Sequence, residues 1–173
     1  MIEMSTMFIT PRLLIRKFEP TDWPDFLDMN SSQAVMERIG NGQLKTMEEE
    51  RAKFDKIFHS YTKGDELGIW AVTLLSSGVF VGAASLSVLQ GTSEVQLGYR
   101  LKEAFWGQGY ATEVAQGLVA YAFGSLGLGR LVATTNLDNE ASRRVLEKAG
   151  LQFERAGKWY GWEMNYFAIE STA

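Results

Sequence analysis

The sequence predicts one mixed α/β domain that spans residues 1–173. A length of 173 residues with 46% hydrophobic residues is typical of a single globular domain that buries a substantial core. Segments with strand-like and helix-like hydrophobic periodicity follow one another, and no linker, internal repeat or low-complexity stretch separates them. We therefore expect strands and helices to share one core.

Seven segments carry patterns that are typical of strands. In the first, apolar Leu13 and Ile15 alternate with charged Arg12 and Arg16. Two later segments flank Ser76-Ser77-Gly78, which predicts a hairpin. The expected strands are 12–18, 69–75, 79–89, 94–101, 131–135, 151–159 and 163–169.

Four segments are expected to be helices. The first starts at Pro20 and ends near Ser31, and the second is capped by Thr46. The third starts in a glycine-rich segment and repeats apolar residues every three or four positions up to residue 123. The fourth follows residue 139 and ends at Gly150, a residue favoured after helix C-termini.

The composition excludes several kinds of site. There is no cysteine and one histidine, His59, which excludes thiol nucleophiles, disulfides, thiolate metal sites and clusters of several histidines. A serine hydrolase would need His59 as its base. His59 lies off the apolar stripe of its predicted helix, so we expect it on a solvent-exposed face. No metal site is predicted.

The net charge and the N-terminal sequence argue against nucleic-acid and membrane partners. The chain carries 17 basic and 21 acidic residues, a formal charge of −4 that disfavours non-specific nucleic-acid binding and favours cationic ligands. The N-terminus has no basic stretch followed by an apolar one, and no segment is apolar enough to span a bilayer. We expect a cytoplasmic protein without membrane or nucleic-acid partners, either monomeric or homodimeric.

The most informative motif is the glycine segment Gly107-Gln108-Gly109-Tyr110-Ala111 between a strand and a helix. Glycines let the backbone approach a ligand, and the free amides at a helix N-terminus favour an anion such as a phosphate or pyrophosphate. The dinucleotide fingerprint is not met, because Thr112 occupies its third glycine position, and the phosphate-loop ending is absent. Spacing alone leaves open that these glycines only form a tight turn.

Residues 94–113, EVQLGYRLKEAFWGQGYATE, resemble the signature of GNAT acetyltransferases, especially the RimJ/RimL-like branch, which acetylates N-terminal amines of ribosomal proteins. Residues 136–153 and 10–16 are similar to other segments of that branch. The resemblance implies a central mixed, mostly antiparallel, twisted sheet of six to seven strands flanked by helices. It also implies an acetyl-CoA-dependent N-acetyltransferase that needs no metal.

The resemblance assigns residues to acetyl-CoA. The family's pyrophosphate pattern falls on Trp106, Gly109 and Ala111, and Trp106 replaces the usual Gln or Arg. The pantetheine arm is implied to lie between strands 94–101 and 131–135, where an amide near Leu97 or Tyr99 would polarise the acetyl oxygen. The residues implied to contact the cosubstrate are Leu97, Tyr99, Leu101, Trp106, Gly107, Gln108, Gly109, Tyr110, Ala111, Thr112, Asn136, Asn139 and Ser142.

Two residues are candidates for catalysis. Glu94 is the only acid of its strand and is the candidate general base, and the alternative is a solvated residue at a strand start. Many family members place a tyrosine acid at the position of Leu146. The RimJ/RimL-like branch instead has a serine at Ser142 that is implied to steady the leaving thiolate. The alternatives are helix-capping roles for Ser142 and Asn139.

The acceptor is expected to be a primary amine. An α-amine with a pKa near 8 is partly neutral at neutral pH, whereas deprotonating a lysine would require roughly 4–5 kcal/mol. A protein N-terminus is therefore favoured over a lysine, with a small amine such as an aminoglycoside or polyamine as the alternative. Trp106 and Leu146 also allow a non-catalytic acyl-CoA-binding regulatory module. Gln96, Trp23 and Trp70 are the candidate acceptor-binding residues.

Overall fold

The computed structural model describes residues 5–64 and 66–172, which form an eight-stranded sheet in the order β1-β2-β3-β4-β5-β6-β8-β7. All neighbouring strands are antiparallel except β5 and β6, which confirms the predicted mixed, mostly antiparallel sheet. The strands are β1 Thr6–Ile9, β2 Leu13–Arg16, β3 Gly68–Leu74, β4 Phe80–Val88, β5 Val95–Leu101, β6 Arg130–Asn136, β7 Gln152–Trp159 and β8 Trp162–Glu170.

The sheet has one strand more than the sequence predicts. This strand, β1, is four residues long and pairs with β2 at the edge of the sheet. Its apolar residues are consecutive, so the alternation that marks a half-buried strand is missing.

Within the described ranges, five α-helices flank the sheet: α1 Trp23–Asn30, α2 Gln33–Met36, α3 Met47–Tyr61, α4 Tyr110–Gly124 and α5 Glu140–Lys148. Thr46 caps α3 as predicted, because its hydroxyl accepts the amide of Glu49 at 3.2 Å. The carboxylate of Glu49 in turn accepts the amide of Thr46 at 2.8 Å. In the described part of the chain, no helix is long and apolar enough to cross a membrane.

The core has one layer on each face of the sheet. On one face, α4 and α5 cover Leu13, Trp70, Leu97 and other apolar residues of the central strands. On the opposite face, α1 to α3 bury an aromatic cluster that includes Phe18, Phe26 and Phe54. Helix α4 connects the two parallel strands, as such a pair requires.

The two parallel strands part soon after they meet. Their pairing has one Cα register pair, Gln96 with Val132, although β5 continues to Leu101 and β6 to Asn136. Beyond this pair, the main-chain amides and carbonyls that face the gap form no sheet hydrogen bonds between β5 and β6. This gap opens the sheet from one face to the other.

Candidate active site

Two adjoining cavities lie where β5 and β6 part. The first, the sheet cavity, has a volume of about 440 Å³ and is lined by residues of β4, β5, β6 and the helices α1 and α3. The second, the loop cavity, has a volume of about 410 Å³ and reaches the glycine segment. Both cavities are lined by Arg38, Ile39, Tyr99, Arg100, Asn139 and Ser142.

The glycine segment presents backbone to the loop cavity. Gly109 is the N-cap of α4 with a φ of +83°, and Gly107 has a φ of +73°. A Cβ added at Gly107 would meet no atom within 4 Å, so its main chain borders open space. Of the predicted loop residues, those that line this cavity are Trp106, Gly107, Gly109, Tyr110, Ala111 and Thr112.

Arg12, in the loop before β2, is hydrogen-bonded to the glycine segment. The Arg12 guanidinium donates from Nη1 to the Gln108 carbonyl at 3.0 Å and from Nε to Glu113 at 2.7 Å. Glu113 also accepts the Thr10 hydroxyl at 2.6 Å and the Arg12 amide at 2.7 Å. Burial opposes ionisation of Glu113, but these hydrogen bonds prevail and lower its pKa. The side chain of Gln108 bonds the Ala104 carbonyl instead of lining the cavity.

Trp106 holds the positively charged Arg38 beside the loop cavity. Its indole nitrogen donates to the Leu101 carbonyl at 3.0 Å, which fixes the ring. The Arg38 guanidinium stacks on this ring at 4.2 Å from its centroid. A cation thus lies beside the residue that replaces the usual Gln or Arg.

A pair of hydroxyls lies at the junction of the two cavities. Asn139 caps α5, since its side chain accepts the Ser142 amide at 3.1 Å. The Tyr99 phenol donates to the Ser142 hydroxyl at 3.1 Å. Burial raises the pKa of Tyr99, and the bond to Ser142 only partly offsets this, so the phenol is protonated at neutral pH. Leu146 lines the sheet cavity nearby.

Glu94 lies away from both cavities. Its carboxylate accepts the Tyr166 hydroxyl at 2.7 Å and pairs with Arg130 at 3.1 Å. Arg130 also pairs with Glu154 and Glu170. The structure therefore places Glu94 in a surface ion-pair cluster at the end of β5 and does not bring it to the cleft.

The remaining predicted residues divide between the cleft and the core. Gln96 donates to the hydroxyl of Tyr160 at 2.7 Å, and Tyr160 lines the sheet cavity. Leu97 and Asn136 line the same cavity, whereas Leu101 lines the loop cavity.

The two tryptophans predicted to bind the acceptor line neither cavity. Trp70 is 0% exposed and packs edge-on against Tyr121 of α4, on the sheet face opposite α1 to α3. This placement corrects the expectation for Trp70, because a fully buried side chain cannot contact an acceptor. Trp23 packs against Phe26 and Phe54 in the aromatic cluster.

The comparisons with known proteins give the family. The sequence profile described as an acetyltransferase (GNAT) domain matches residues 12–152. The chain belongs to this family. Its relative YnaD of Bacillus subtilis, named an uncharacterized N-acetyltransferase, is 31% identical over 168 residues that cover 92% of this chain and 94% of YnaD.

Solved structures agree with the assignment. A GNAT acetyltransferase from Bacillus anthracis superposes with a TM-score of 0.81 at 29% identity, covering 96% of this chain and 98% of that one. RimL, a ribosomal L7/L12 α-N-protein acetyltransferase in complex with coenzyme A, superposes with a TM-score of 0.78 at 18% identity over 95% of this chain and 97% of RimL. The second likeness concerns the fold alone. The chain is an acetyl-CoA-dependent acetyltransferase with the GNAT fold.

The loop cavity suits the phosphate groups of this cosubstrate. Besides the main chain of the glycine segment, Arg144 and Lys148 line it alone, Arg38 and Arg100 line it at the junction with the sheet cavity, and no aspartate or glutamate of the described residues lines it. Cations and free amides at a helix N-terminus are the groups that bind phosphates. The local chemistry of this GNAT domain therefore fits its cosubstrate.

Sequence reasoning missed three cations of the sheet cavity, namely Arg38, Lys53 and Arg100. A signal was present for Arg100, because strand alternation puts it on the same face as Gln96 and Gly98. Lys53 shares a helical face with buried Ile57, four residues later. No sequence pattern indicates Arg38.

Proposed function

We propose that the enzyme transfers the acetyl group directly from acetyl-CoA to the α-amine of a protein N-terminus within a ternary complex. The observation that carries this proposal is the junction of two cavities at Tyr99, Asn139 and Ser142. One cavity suits the phosphates of the cosubstrate, and the other is left for the acceptor. Both substrates could then be bound at once, as direct attack requires.

The loop cavity would hold the phosphate end of the cosubstrate, and its pantetheine arm would reach the junction with the sheet cavity. Amides of the segment from Gly107 to Thr112, together with Arg144 and Lys148, would bind the phosphates. Main-chain groups near Leu97, Tyr99 and Leu101 would hold the pantetheine arm where β5 and β6 part. Acetyl-CoA supplies an activated thioester when it is bound.

The hydroxyl pair would serve the leaving group. The acceptor nitrogen bonds to the acetyl carbon, the carbon–sulfur bond breaks, and the electron pair of that bond leaves on sulfur. Ser142 would pass its proton to the sulfur and take one from the Tyr99 phenol, 3.1 Å away, while the attacking nitrogen releases its proton to water and water returns a proton to Tyr99. A β5 amide near Leu97 or Tyr99 would stabilise negative charge on the acetyl oxygen.

The base stays a prediction. Both carboxylate oxygens of Glu94 already accept hydrogen bonds from Arg130 and Tyr166, so its placement favours a structural role. An α-amine with a pKa near 8 can lose its proton to water near neutral pH. If Glu94 is the base, Glu94→Gln will lower kcat at unchanged stability. If Glu94 is structural, the variant will lose thermal stability and keep kcat.

The acceptor is tested with a panel of amines. The purified chain is mixed with acetyl-CoA and, in turn, with N-terminal peptides of ribosomal proteins, spermidine or kanamycin. Coenzyme A release is followed with a thiol reagent, and products are identified by mass spectrometry. We expect acetylation at the peptide α-amine. Turnover of spermidine or kanamycin alone would contradict the α-amine, and acetyl-CoA binding without any turnover would instead indicate a regulatory module.

A further inference from the structure

The walls of the sheet cavity carry an excess of positive charge. Arg38, Lys53 and Arg100 line it, whereas no aspartate or glutamate among the described residues does. Its other lining residues are largely apolar, including Phe26 and Met29. A cavity of this kind favours a ligand that has an apolar part and an anionic group.

Lys53 is held in this cavity without a partner that neutralises it directly. It is partly buried on α3 and forms no hydrogen bond or salt bridge with the residues that the structure describes. Burial, and then the positive charge of Arg100, lower the pKa of Lys53 to about 8. Keeping an ammonium here opposes folding, and an anion bound in the cavity would relieve that penalty.

Negative charge lies behind the cavity wall instead of on it. Arg100 donates to the side-chain oxygen of Asn30 at 2.5 Å, and Asn30 donates to Glu50 at 2.8 Å. Glu50 is buried and lines neither cavity. Asn30 thus separates Arg100 from the buried carboxylate. Arg100 and Lys53 both line the cavity, where the charge of Glu50 only partly offsets theirs.

We infer that the acceptor carries a carboxylate close to its α-amine, and that Lys53 and Arg100 bind this carboxylate. The inference rests on the proposed function, which places the acceptor in the sheet cavity. Two sources share this chemistry: a small amino-acid-like molecule with a free C-terminus, and a protein N-terminus with an acidic residue near its start. The local charges disfavour polyamines, which the net charge of the chain would favour.

Matched acceptor pairs test this inference. The small-molecule arm compares the dipeptide Leu-Gly with its C-terminal amide. The protein arm compares ten-residue peptides that have Asp or Asn at the second position. Within each pair the α-amine has a similar basicity, so the carboxylate is the main difference. We expect kcat/KM to be about tenfold or more higher for the carboxylate member of at least one pair. The pair that shows the difference identifies the source.

Variants on α3 complete the test. Lys53→Met should remove most of the preference, and Lys53→Arg, which keeps the charge, should retain it. Lys56→Met is the matched control, because Lys56 is exposed on the same helix and lines neither cavity. Circular dichroism verifies that each variant is folded.

Two results would overturn the inference. Equal or better turnover of both amide members would refute the carboxylate while leaving acetyl transfer to α-amines intact. A preference that survives in folded Lys53→Met would refute the role of Lys53. Absence of turnover with every amine would instead overturn the proposed function, and the inference would fall with it.

Discussion

Among single residues, the Tyr99–Ser142 pair is our candidate for the acid that protonates the leaving sulfur. Many members of the family place a tyrosine where this chain has Leu146, which is buried at the wall of the sheet cavity. The phenol of Tyr99 reaches the same region from β5 instead and donates to Ser142. Its raised pKa keeps the proton available at neutral pH.

We predict that Ser142→Ala and Tyr99→Phe each lower kcat by about tenfold or more and change acetyl-CoA affinity little. The physical reason is that the bond to sulfur matters only as negative charge develops there. Steady-state kinetics and calorimetric titration with acetyl-CoA separate the two effects. Ser125→Ala, at the exposed end of α4, is the control. Unchanged kcat in both variants would refute the assignment.

The lowered pKa of Lys53 makes the free energy of unfolding depend on pH. Its folded pKa of about 8 lies below the ordinary value of 10.5, so the protonated form destabilises the fold. The unfolded chain binds more protons between these values, and the contribution of Lys53 to stability rises with pH across that window. Arg100 and Lys45 oppose its charge, and Glu50 favours it.

We therefore expect Lys53→Met to raise the free energy of unfolding by about 1 kcal/mol at neutral pH. The gain should shrink as the pH rises from about 8 to about 10 because the wild-type lysine then loses its proton. Urea titrations at the two ends of this range measure the difference. A gain that is constant or grows with pH would show that Lys53 is not held as a strained ammonium.

Sequence reasoning reached some of these residues and not others. Asn139 and Ser142 lie within a recognisable motif, and local capping fixes their geometry. Glu94 lies just before β5, the strand that carries Gln96, and its partner Arg130 starts a strand 36 residues away. The ion pair that removes Glu94 from the cleft is a tertiary contact that no local pattern encodes.

At the scale of elements, the glycine segment depends on a distant strand. Arg12 of the loop before β2 joins the Gln108 carbonyl to Glu113 in the first turn of α4. The backbone that would meet phosphates is thus fixed before a ligand arrives. Such pre-organisation reduces the entropy lost on binding.

We predict that Gly109→Asp abolishes measurable acetyl-CoA binding. Gly109 has a φ of +83°, and a Cβ there would lie 3.3 Å from the Arg12 guanidinium, so a side chain strains the cap and adds negative charge. Gly91→Asp is the matched control, since Gly91 has a φ of +76° and open space around it in the β4–β5 turn. Both variants are titrated with acetyl-CoA by calorimetry. Wild-type affinity in Gly109→Asp would refute the loop assignment.

The predicted elements were largely correct where a periodic pattern was present. The strands β5 and β6 and the helix after the glycine segment occur as expected. The pattern fails at Trp70, because Trp70, Ala71 and Val72 of β3 are all buried and no alternation shows which face each one covers. When a central strand is buried on both faces of the sheet, its sequence does not show which face each side chain covers.

At the scale of the whole molecule, net charge is a poor guide to the site. The chain carries a formal charge of −4, yet both cavities are lined by arginine and lysine. The acidic groups lie elsewhere, for example in the cluster around Arg130. Sequence alone could not predict this segregation, since it arises when the sheet brings α3 and β5 together.

The central claim is that the two adjoining cavities hold both substrates together. Initial rates with acetyl-CoA and the best peptide acceptor, each varied at several fixed concentrations of the other, test this most directly. Direct transfer in a ternary complex predicts double-reciprocal lines that intersect. Parallel lines, together with a protein that becomes acetylated when mixed with acetyl-CoA alone, would contradict it by revealing an acetyl-enzyme.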